Sequence, residues 1–278
     1  MPDTTRLSLA VASDARDLLV ADLSDLGFEA FQETDDGLEA YVPSSAWPTL
    51  EDAVSALLAS RDLEAKTETI ADRDWNAEWE AALRPIEAGP FVIAPSWTEI
   101  PPELAGRDVL RIDPKMAFGT GYHETTRLVL SLLPAARPRG RVLDVGTGTG
   151  VLALAALRLG AESAVGVDVD EWSVANGTEN AALNGLEGAL EIRRGSLEVV
   201  PERGFDVVVA NIIRSILEPL LPGVVERAAP GGAVVLSGLL GTERDRVLEV
   251  AAPLGLALEA EATENEWWGG VFSASGDR

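Results

Sequence analysis

The chain has 278 residues, enough for one large or two ordinary domains, each with its own core. It contains no cysteine and one histidine, which excludes disulfides and thiol catalysis and would force any zinc site onto carboxylate ligands, so no metal site is expected. A net charge of −24 argues against a nucleic-acid surface, whose phosphate affinity comes from clustered Lys and Arg, and favours a basic partner. Along the chain, Leu7 to Val11 alternates as a strand, Asp14 to Leu26 has helical spacing closed by Gly27, and Phe28 to Glu33 extends again. A turn at Asp35-Asp36-Gly37 leads into a strand over Leu38 to Val42, a helix over Trp47 to Ser60 entered through Pro48, and a strand over Leu63 to Ile70.

The order β-α-β-β-α-β is the split βαβ arrangement, in which four strands bury one face against two helices. Residues 1–70 are therefore expected to form a small α+β, ferredoxin-like domain. It carries no catalytic constellation and reads as a recognition module. Residues 1–65 hold 14 acidic against 3 basic residues, a bias that suits steering of a cationic partner and equally suits an organism-wide adaptation of surface charge.

Asp72 to Leu83 reads as a short acidic helix with Trp75 and Trp79 on one face, expected to bury themselves between domains, with contact to a partner as the alternative. Pro85, Gly89, Pro90, Pro95, Pro101 and Pro102 then punctuate extended segments, so residues 71–102 read as a linker helix and Pro-rich connector. From residue 103 to 278 strands and helices alternate: Val109 to Ile112, a helix over Thr125 to Leu133, then strands over Ala164 to Val169, Leu190 to Arg193, Phe205 to Ala210 and Ala233 to Leu236. That alternation builds a doubly wound, Rossmann-like α/β sheet whose ligands sit at the carboxyl ends of the strands. Leu256 to Ala262 and Trp268 to Ala274 have only a short link between them and suit an antiparallel C-terminal edge pair. The N-terminus lacks a basic start, and no apolar stretch approaches the ~20 residues that cross a bilayer, so a cytoplasmic chain without membrane contact is expected.

Within this pattern, Arg141 to Val145 is a short apolar strand that runs into Gly146, Gly148 and Gly150 and then an Ala/Leu-rich helix from Val151 to Leu159. Such a loop lets a ligand approach bare backbone and the amides of a helix N-terminus. The third glycine comes one residue earlier than in the dinucleotide fingerprint Gly-x-Gly-x-x-Gly. Asp144, two residues before the first glycine, would repel a pyrophosphate and attract the ammonium and sulfonium of S-adenosylmethionine. Asp168 ends the next strand, where an acid grips a ribose diol in either class. Together these favour S-adenosylmethionine over NAD. Asn211 closes a buried strand beside the expected methyl donor, and its amide oxygen suits an amine that gains positive charge during transfer. Asp113 to Thr126 reads as a second cofactor loop containing Phe118 and Gly119. Thr125 or Thr126 caps the following helix, and His123 is either a proton acceptor or a structural hydrogen-bond partner.

The joint pattern Asp113-Pro-x-x-Ala-Phe-Gly-Thr-Gly-x-His-x-Thr-Thr, Asp144-Val-Gly-x-Gly-x-Gly, Asp168-Val-Asp170 and Val209-Ala-Asn-Ile, with Asp74-Trp75-x-x-x-Trp79 upstream, resembles the bacterial methyltransferase family of large-subunit ribosomal protein L11. The resemblance implies a class I S-adenosylmethionine-dependent enzyme preceded by a ferredoxin-like domain that binds the ribosomal protein. It also implies methylation, up to trimethylation, of that protein's N-terminal amine and lysine side chains. Carried over by motif, Thr125, Gly146, Asp168 and Asn211 would contact the cofactor, joined by Asp144, Gly148, Gly150, Phe118 and Gly119 from the reading of the loops. Asn211 would carry the catalytic role, in a chain expected to act as a monomer. Glu124 departs from the family, which often has Pro there, and Ile212-Ile213 replaces the Pro-Pro-Tyr of related adenine or glutamine methyltransferases, a change that suits a flexible alkyl amine. The alternatives are methylation of another protein or small-molecule amine, and an NAD-dependent dehydrogenase.

Overall fold

The computed structural model describes residues 3–34, 37–70, 75–115 and 117–275, and its internal contacts divide the chain into Met1–Trp75 and Asn76–Arg278. Alternation of apolar and polar residues governs the first unit. Its elements are β1 (Thr4–Ala10), α1 (Ser13–Asp25), β2 (Ala30–Thr34), β3 (Gly37–Pro43), α2 (Trp47–Ser60) and β4 (Ala65–Ile70), in the expected order. The strands pair antiparallel in the lateral order β2-β3-β1-β4. Leu7 and Leu9 of β1 and Leu38, Ala40 and Val42 of β3 point to one face, where they form a core with Leu19 and Leu23 of α1 and Val54 and Leu58 of α2. Residues between them on the strands carry a polar ladder: Arg6 bridges Glu39 and Glu68, and Tyr41 Oη donates to Glu39 at 2.7 Å. Asp35 and Asp36 of the expected turn lie outside the described residues, as do Asp72 and Asp74.

In the second unit, α3 (Trp75–Ala82) is followed by strands where a connector is expected. β5 (Ile86–Ala88) pairs antiparallel with β6 (Phe91–Ala94), which pairs in parallel with β7 (Asp108–Arg111). Phe91, Val92, Ile93 and Ala94 are all buried, and Pro85, Pro90 and Pro95 stand at the strand ends, where a missing N–H costs nothing. Proline spacing thus marks strand boundaries here. β7, expected to open the alternating sheet, belongs to this small sheet. Trp79 is 43% exposed, and the Trp75 side chain is outside the described set.

The remaining elements are α4 (Glu124–Ala136), β8 (Arg141–Val145), α5 (Val151–Arg158), β9 (Ser163–Asp168), α6 (Glu171–Leu183), β10 (Leu190–Arg194), β11 (Phe205–Asn211), α7 (Arg214–Arg227), β12 (Ala228–Leu240), α8 (Arg244–Ala251), β13 (Leu256–Glu264) and β14 (Trp267–Ala274). They build a seven-stranded sheet in the order β10-β9-β8-β11-β12-β14-β13. The first five strands are parallel, and β13 and β14 form the expected antiparallel edge pair. Successive side chains enter opposite cores: Val142, Val207, Val209 and Val235 pack with α4 and α5, whereas Leu143, Val208, Ala210 and Leu236 pack with α7 and α8. Strand order reverses between β8 and β11, so the connections after these strands leave on opposite faces. The crevice they leave at the carboxyl end is where a ligand fits in such a sheet.

Candidate functional site

A cleft of about 510 Å³ opens at that reversal point, within the range of small-molecule sites. Gly146 and Gly148 after β8, Asp168 at the end of β9 with Val169 behind it, and Gly195 and Ser196 after β10 line one half. Asn211 at the end of β11, Ile212 and Ile213 after it, Phe118, Thr125 and Trp267 line the other. Among the described residues no Lys or Arg lines the cleft, and Asp168 is the one carboxylate that does. That charge pattern fits a cation and leaves a pyrophosphate without a counter-charge.

The loop is held by its own strands. Gly146 N and Thr147 N donate to Val167 O at 2.9 and 3.0 Å, and Gly148 N donates to Asp168 Oδ2 at 2.9 Å. Gly148 has φ +53°, and a Cβ there would collide with the Phe118 carbonyl oxygen. Asp168 Oδ1 accepts from Asp170 N at 3.0 Å, so the carboxylate is oriented from both sides at the cleft wall. Asp170 is the N-cap of α6, accepting from Trp172 N and Ser173 N.

Asp144 stands elsewhere than expected. It does not line the cleft and is 0% exposed, on the face of β8 that packs against α5. Its Oδ2 accepts from Thr147 Oγ1 at 2.8 Å and from Ala153 N at 3.2 Å. Gly150, the N-cap of α5, has no side chain to offer, so Asp144 satisfies an amide of the first turn from the neighbouring strand. Burial pushes its carboxyl pKa up to about 7, against the pull of the Thr147 and Ala153 hydrogen bonds. Gly150 likewise lies behind the cleft wall, where a Cβ would meet Gly177 of α6 at 3.5 Å. Gly119 is set back as well: its carbonyl accepts from Thr149 Oγ1 at 2.7 Å, while Phe118 O accepts from Thr149 N at 2.9 Å. The two loops are therefore sewn together, with the Phe118 ring left in the cleft.

Asn211 ends β11 with 9% of its surface exposed, and its Oδ1 is buried without a hydrogen-bond partner. A carbonyl oxygen left unpaired at the wall of a cleft is costly unless a ligand N–H meets it. The neighbouring backbone is fixed by Ile212 N, which donates to Ser237 O at 3.1 Å, and by Gly238 at φ +82°, whose missing Cβ would press on the Ile212 backbone at 2.8 Å. Gly238 was not found from the sequence; its signal is a Ser-Gly step inside an apolar strand, which marks a bulge.

The N-cap of α4 is His123, not Thr125 or Thr126. Its Nδ1 accepts from Thr125 N at 3.3 Å and lies 2.9 Å from Thr125 Oγ1, which leaves the ring proton on Nε2 and makes His123 a cap in this geometry. The His123 ring lies between Phe118 and Trp267, with centroids 5.2 and 4.9 Å away. Thr125 lines the cleft, and the buried Thr126 Oγ1 has no hydrogen-bond partner. The loop before His123 is clamped by an asparagine ladder on α6 that sequence reading missed. Asn176 and Asn180 hold the Asp113 backbone, Asn184 holds that of Arg111, and Asn180 also donates to Thr149 O at 3.0 Å. The signal is Asn at four-residue spacing along a helix, which puts three amides on one face.

The residues present fit S-adenosylmethionine. Asp168 has the charge to take a diol or a cation, the glycine backbone leaves room for a nucleoside, and Asn211 offers an unpaired acceptor. Comparisons with known proteins agree. Residues 20–274 match the model of the family described as Ribosomal protein L11 methyltransferase (PrmA). A ribosomal protein L11 methyltransferase of Sorangium cellulosum is 44% identical, with 82% of this chain and 72% of that protein covered. Its counterpart in Porphyromonas gingivalis is 38% identical over 91% of this chain and 89% of its own length. Among solved structures, a ribosomal protein L11 methylase from Lactobacillus delbrueckii subsp. bulgaricus superposes with a TM-score of 0.64 at 31% identity, covering 69% of this chain and all of that one.

Proposed function

This chain belongs to the ribosomal protein L11 methyltransferase family, and on that premise we propose that it methylates the N-terminal α-amine and lysine ε-amines of ribosomal protein L11, up to the trimethylated state. The cofactor is S-adenosylmethionine, which supplies a methyl group on a cationic sulfur. The observation that carries the reading is the buried, unpaired Oδ1 of Asn211 in a cleft lined, among the described residues, by one carboxylate and no cation.

In this reading Asp168, with Gly146 and Gly148, holds the nucleoside, and Thr125 and Phe118 close the site from the second loop. Asn211 Oδ1 accepts an N–H from the amine, orients its lone pair and favours the positive charge that grows on nitrogen. Only a neutral amine attacks: at pH 7 roughly 10–17% of an α-amine is neutral, against about 0.04% of a lysine. Ile212, Ile213, Phe118 and Trp267 exclude water around the amine and lower its pKa by desolvation. With Ile212 and Ile213 following Asn211 in place of an aromatic residue, an alkyl amine is free to rotate between transfers. The first unit is the recruiting module, its acidic surface facing a basic protein, and the enzyme works as a cytoplasmic monomer without direct nucleic-acid contact. Among the described residues no helix is long and apolar enough to cross a membrane.

The test is incubation with purified L11 and S-adenosylmethionine, followed by mass mapping of modified peptides. Stepwise single-methylene gains at the N-terminus or at lysines support the assignment; unmodified L11 refutes it. A melting temperature raised by NAD and unmoved by S-adenosylmethionine would replace the transferase with a dehydrogenase.

A further inference from the structure

Behind the Phe118 and His123 rings lies a second hollow of about 430 Å³, lined by Trp79, Ala117, Thr120, Tyr122 and Glu124 as well as those two rings. Phe118 and His123 line both cavities, so cleft and hollow are neighbours that share these two residues. Two of the large side chains at the hollow stay open, Phe118 at 54% and Trp79 at 43% exposure. Tyr122 is anchored: its Oη pairs with the Arg84 backbone, and Arg84 N donates to it at 2.7 Å.

The charge at this hollow belongs to Glu124. Two cations stand near it: Arg84, whose guanidinium is taken up by Ala81 O and Leu83 O, and Arg127, whose Nε and Nη2 reach Glu264 at 2.8 and 2.5 Å while Glu124 is 3.8 Å away. The shorter partner of Glu124 is the neutral amide of Asn265, at 3.0 Å. Its own backbone N–H and then the Asn265 amide hold its carboxyl below the ordinary glutamate range, so it is ionised near neutrality. Aromatic faces with one under-compensated carboxylate form a site for an alkylammonium or guanidinium group, which gains from the ring quadrupoles and from the ion pair.

We propose that this hollow is a docking subsite for a second basic side chain, a lysine or arginine near the amine being methylated in the protein substrate. The proposal rests on the function assigned above and deepens it: the cleft takes the reacting amine, and the hollow next door reads whether a positive charge accompanies it. Of possible occupants, a basic side chain is favoured by the Glu124 charge and by an enzyme whose net charge of −24 already selects basic proteins. Trp79, Tyr122 and Glu124 act on binding and not on the transfer itself.

The experiment compares wild type with Glu124→Gln and Trp79→Ala, using L11 as substrate and, separately, an acetylated lysine-rich pentapeptide as a binding probe in isothermal titration. Each variant is expected to raise KM for L11 by three- to tenfold, with kcat within twofold and S-adenosylmethionine Kd unchanged, and to weaken the peptide by a similar factor. Glu124→Gln should also flatten the salt dependence of kcat/KM. Unchanged KM and peptide affinity in both variants would overturn the subsite. A fall in kcat or in cofactor affinity would overturn it too, since Glu124 would then act through the α4 terminus. Should wild type bind the peptide through these residues and leave L11 unmethylated, the substrate assignment fails while the subsite stands.

Discussion

The two units use the same device, a sheet with helices laid on it, and differ in how many faces are covered. In the first, α1 and α2 bury one face, and the other shows Arg6, Glu39, Tyr41 and Glu68. In the second, the seven-stranded sheet has a core on each side, so its strands reach a ligand only at their ends. A doubly covered sheet therefore forces chemistry to the strand termini, where one residue per strand decides the site. A singly covered sheet offers a whole face, and recognition there is spread over many residues, none of them indispensable. The contrast predicts sharp mutational effects in the second unit and shallow ones in the first.

The sharpest is at Asn211. Replacing it with Ala removes the unpaired acceptor without touching the core, so kcat should fall by roughly 10²- to 10³-fold, with cofactor Kd and melting temperature close to wild type. Near-normal turnover would break the link between strand end and chemistry.

Asp144 tests what the doubly covered face costs. Its carboxyl is raised to about 7 by burial, against about 3.9 in an unfolded chain, so between those values the native state keeps a proton that the unfolded state has lost. Asp144 thus contributes most stability below pH 4, and the contribution is lost as pH rises to about 7. Asp144→Asn keeps an acceptor for Thr147 and Ala153 and does not titrate. Relative to wild type it should gain ~2–4 kcal/mol between pH 4 and pH 8 in the absence of cofactor, read by urea unfolding across pH. Parallel pH profiles of the two proteins would show that the buried carboxylate is ionised throughout.

This pair also shows what was legible beforehand. Asp168 and Asn211 close their strands and Gly146 and Gly148 follow one, and strand ends are set by periodicity, so motif and position coincide. Asp144 sits one strand residue earlier, and period-two alternation turns it inward to cap α5; its distance from the glycines is readable, its face is not. The small sheet of β5, β6 and β7 was hidden because prolines mark linkers and strand ends alike. The Asn176, Asn180 and Asn184 ladder and Gly238 act through partners far along the chain, which local spacing does not reveal.

Glycine gives an intermediate effect with an internal control. Gly148 has positive φ and no room for a Cβ beside Phe118 O, so Gly148→Ala should cost ~2–3 kcal/mol and displace the loop enough to weaken cofactor binding. Gly27, in the first unit, has positive φ and open space around it, and Gly27→Ala should cost only the backbone strain, about 1 kcal/mol, with cofactor binding intact. Equal penalties at the two sites would mean that the crowding around Gly148 adds nothing to strain.

The shallowest effect is expected on the acidic surface of the first unit. Glu51, Asp52, Asp62 and Glu64 are exposed on the first unit, and together they account for four of the 14 acids in residues 1–65. Neutralising all four, as Glu51→Gln, Asp52→Asn, Asp62→Asn and Glu64→Gln, removes long-range attraction and leaves the core of leucines and valines between sheet and helices untouched, so thermal stability should hold. With L11 as substrate, kcat/KM should fall two- to fivefold at low ionic strength and converge on wild type near 1 M salt, where charges are screened within about 3 Å. Each single change should be nearly silent, because a spread surface shares its attraction among many groups. If one of the four carries most of the loss, the first unit holds a focused site after all, and the distinction between a strand-end site and a distributed face gives way.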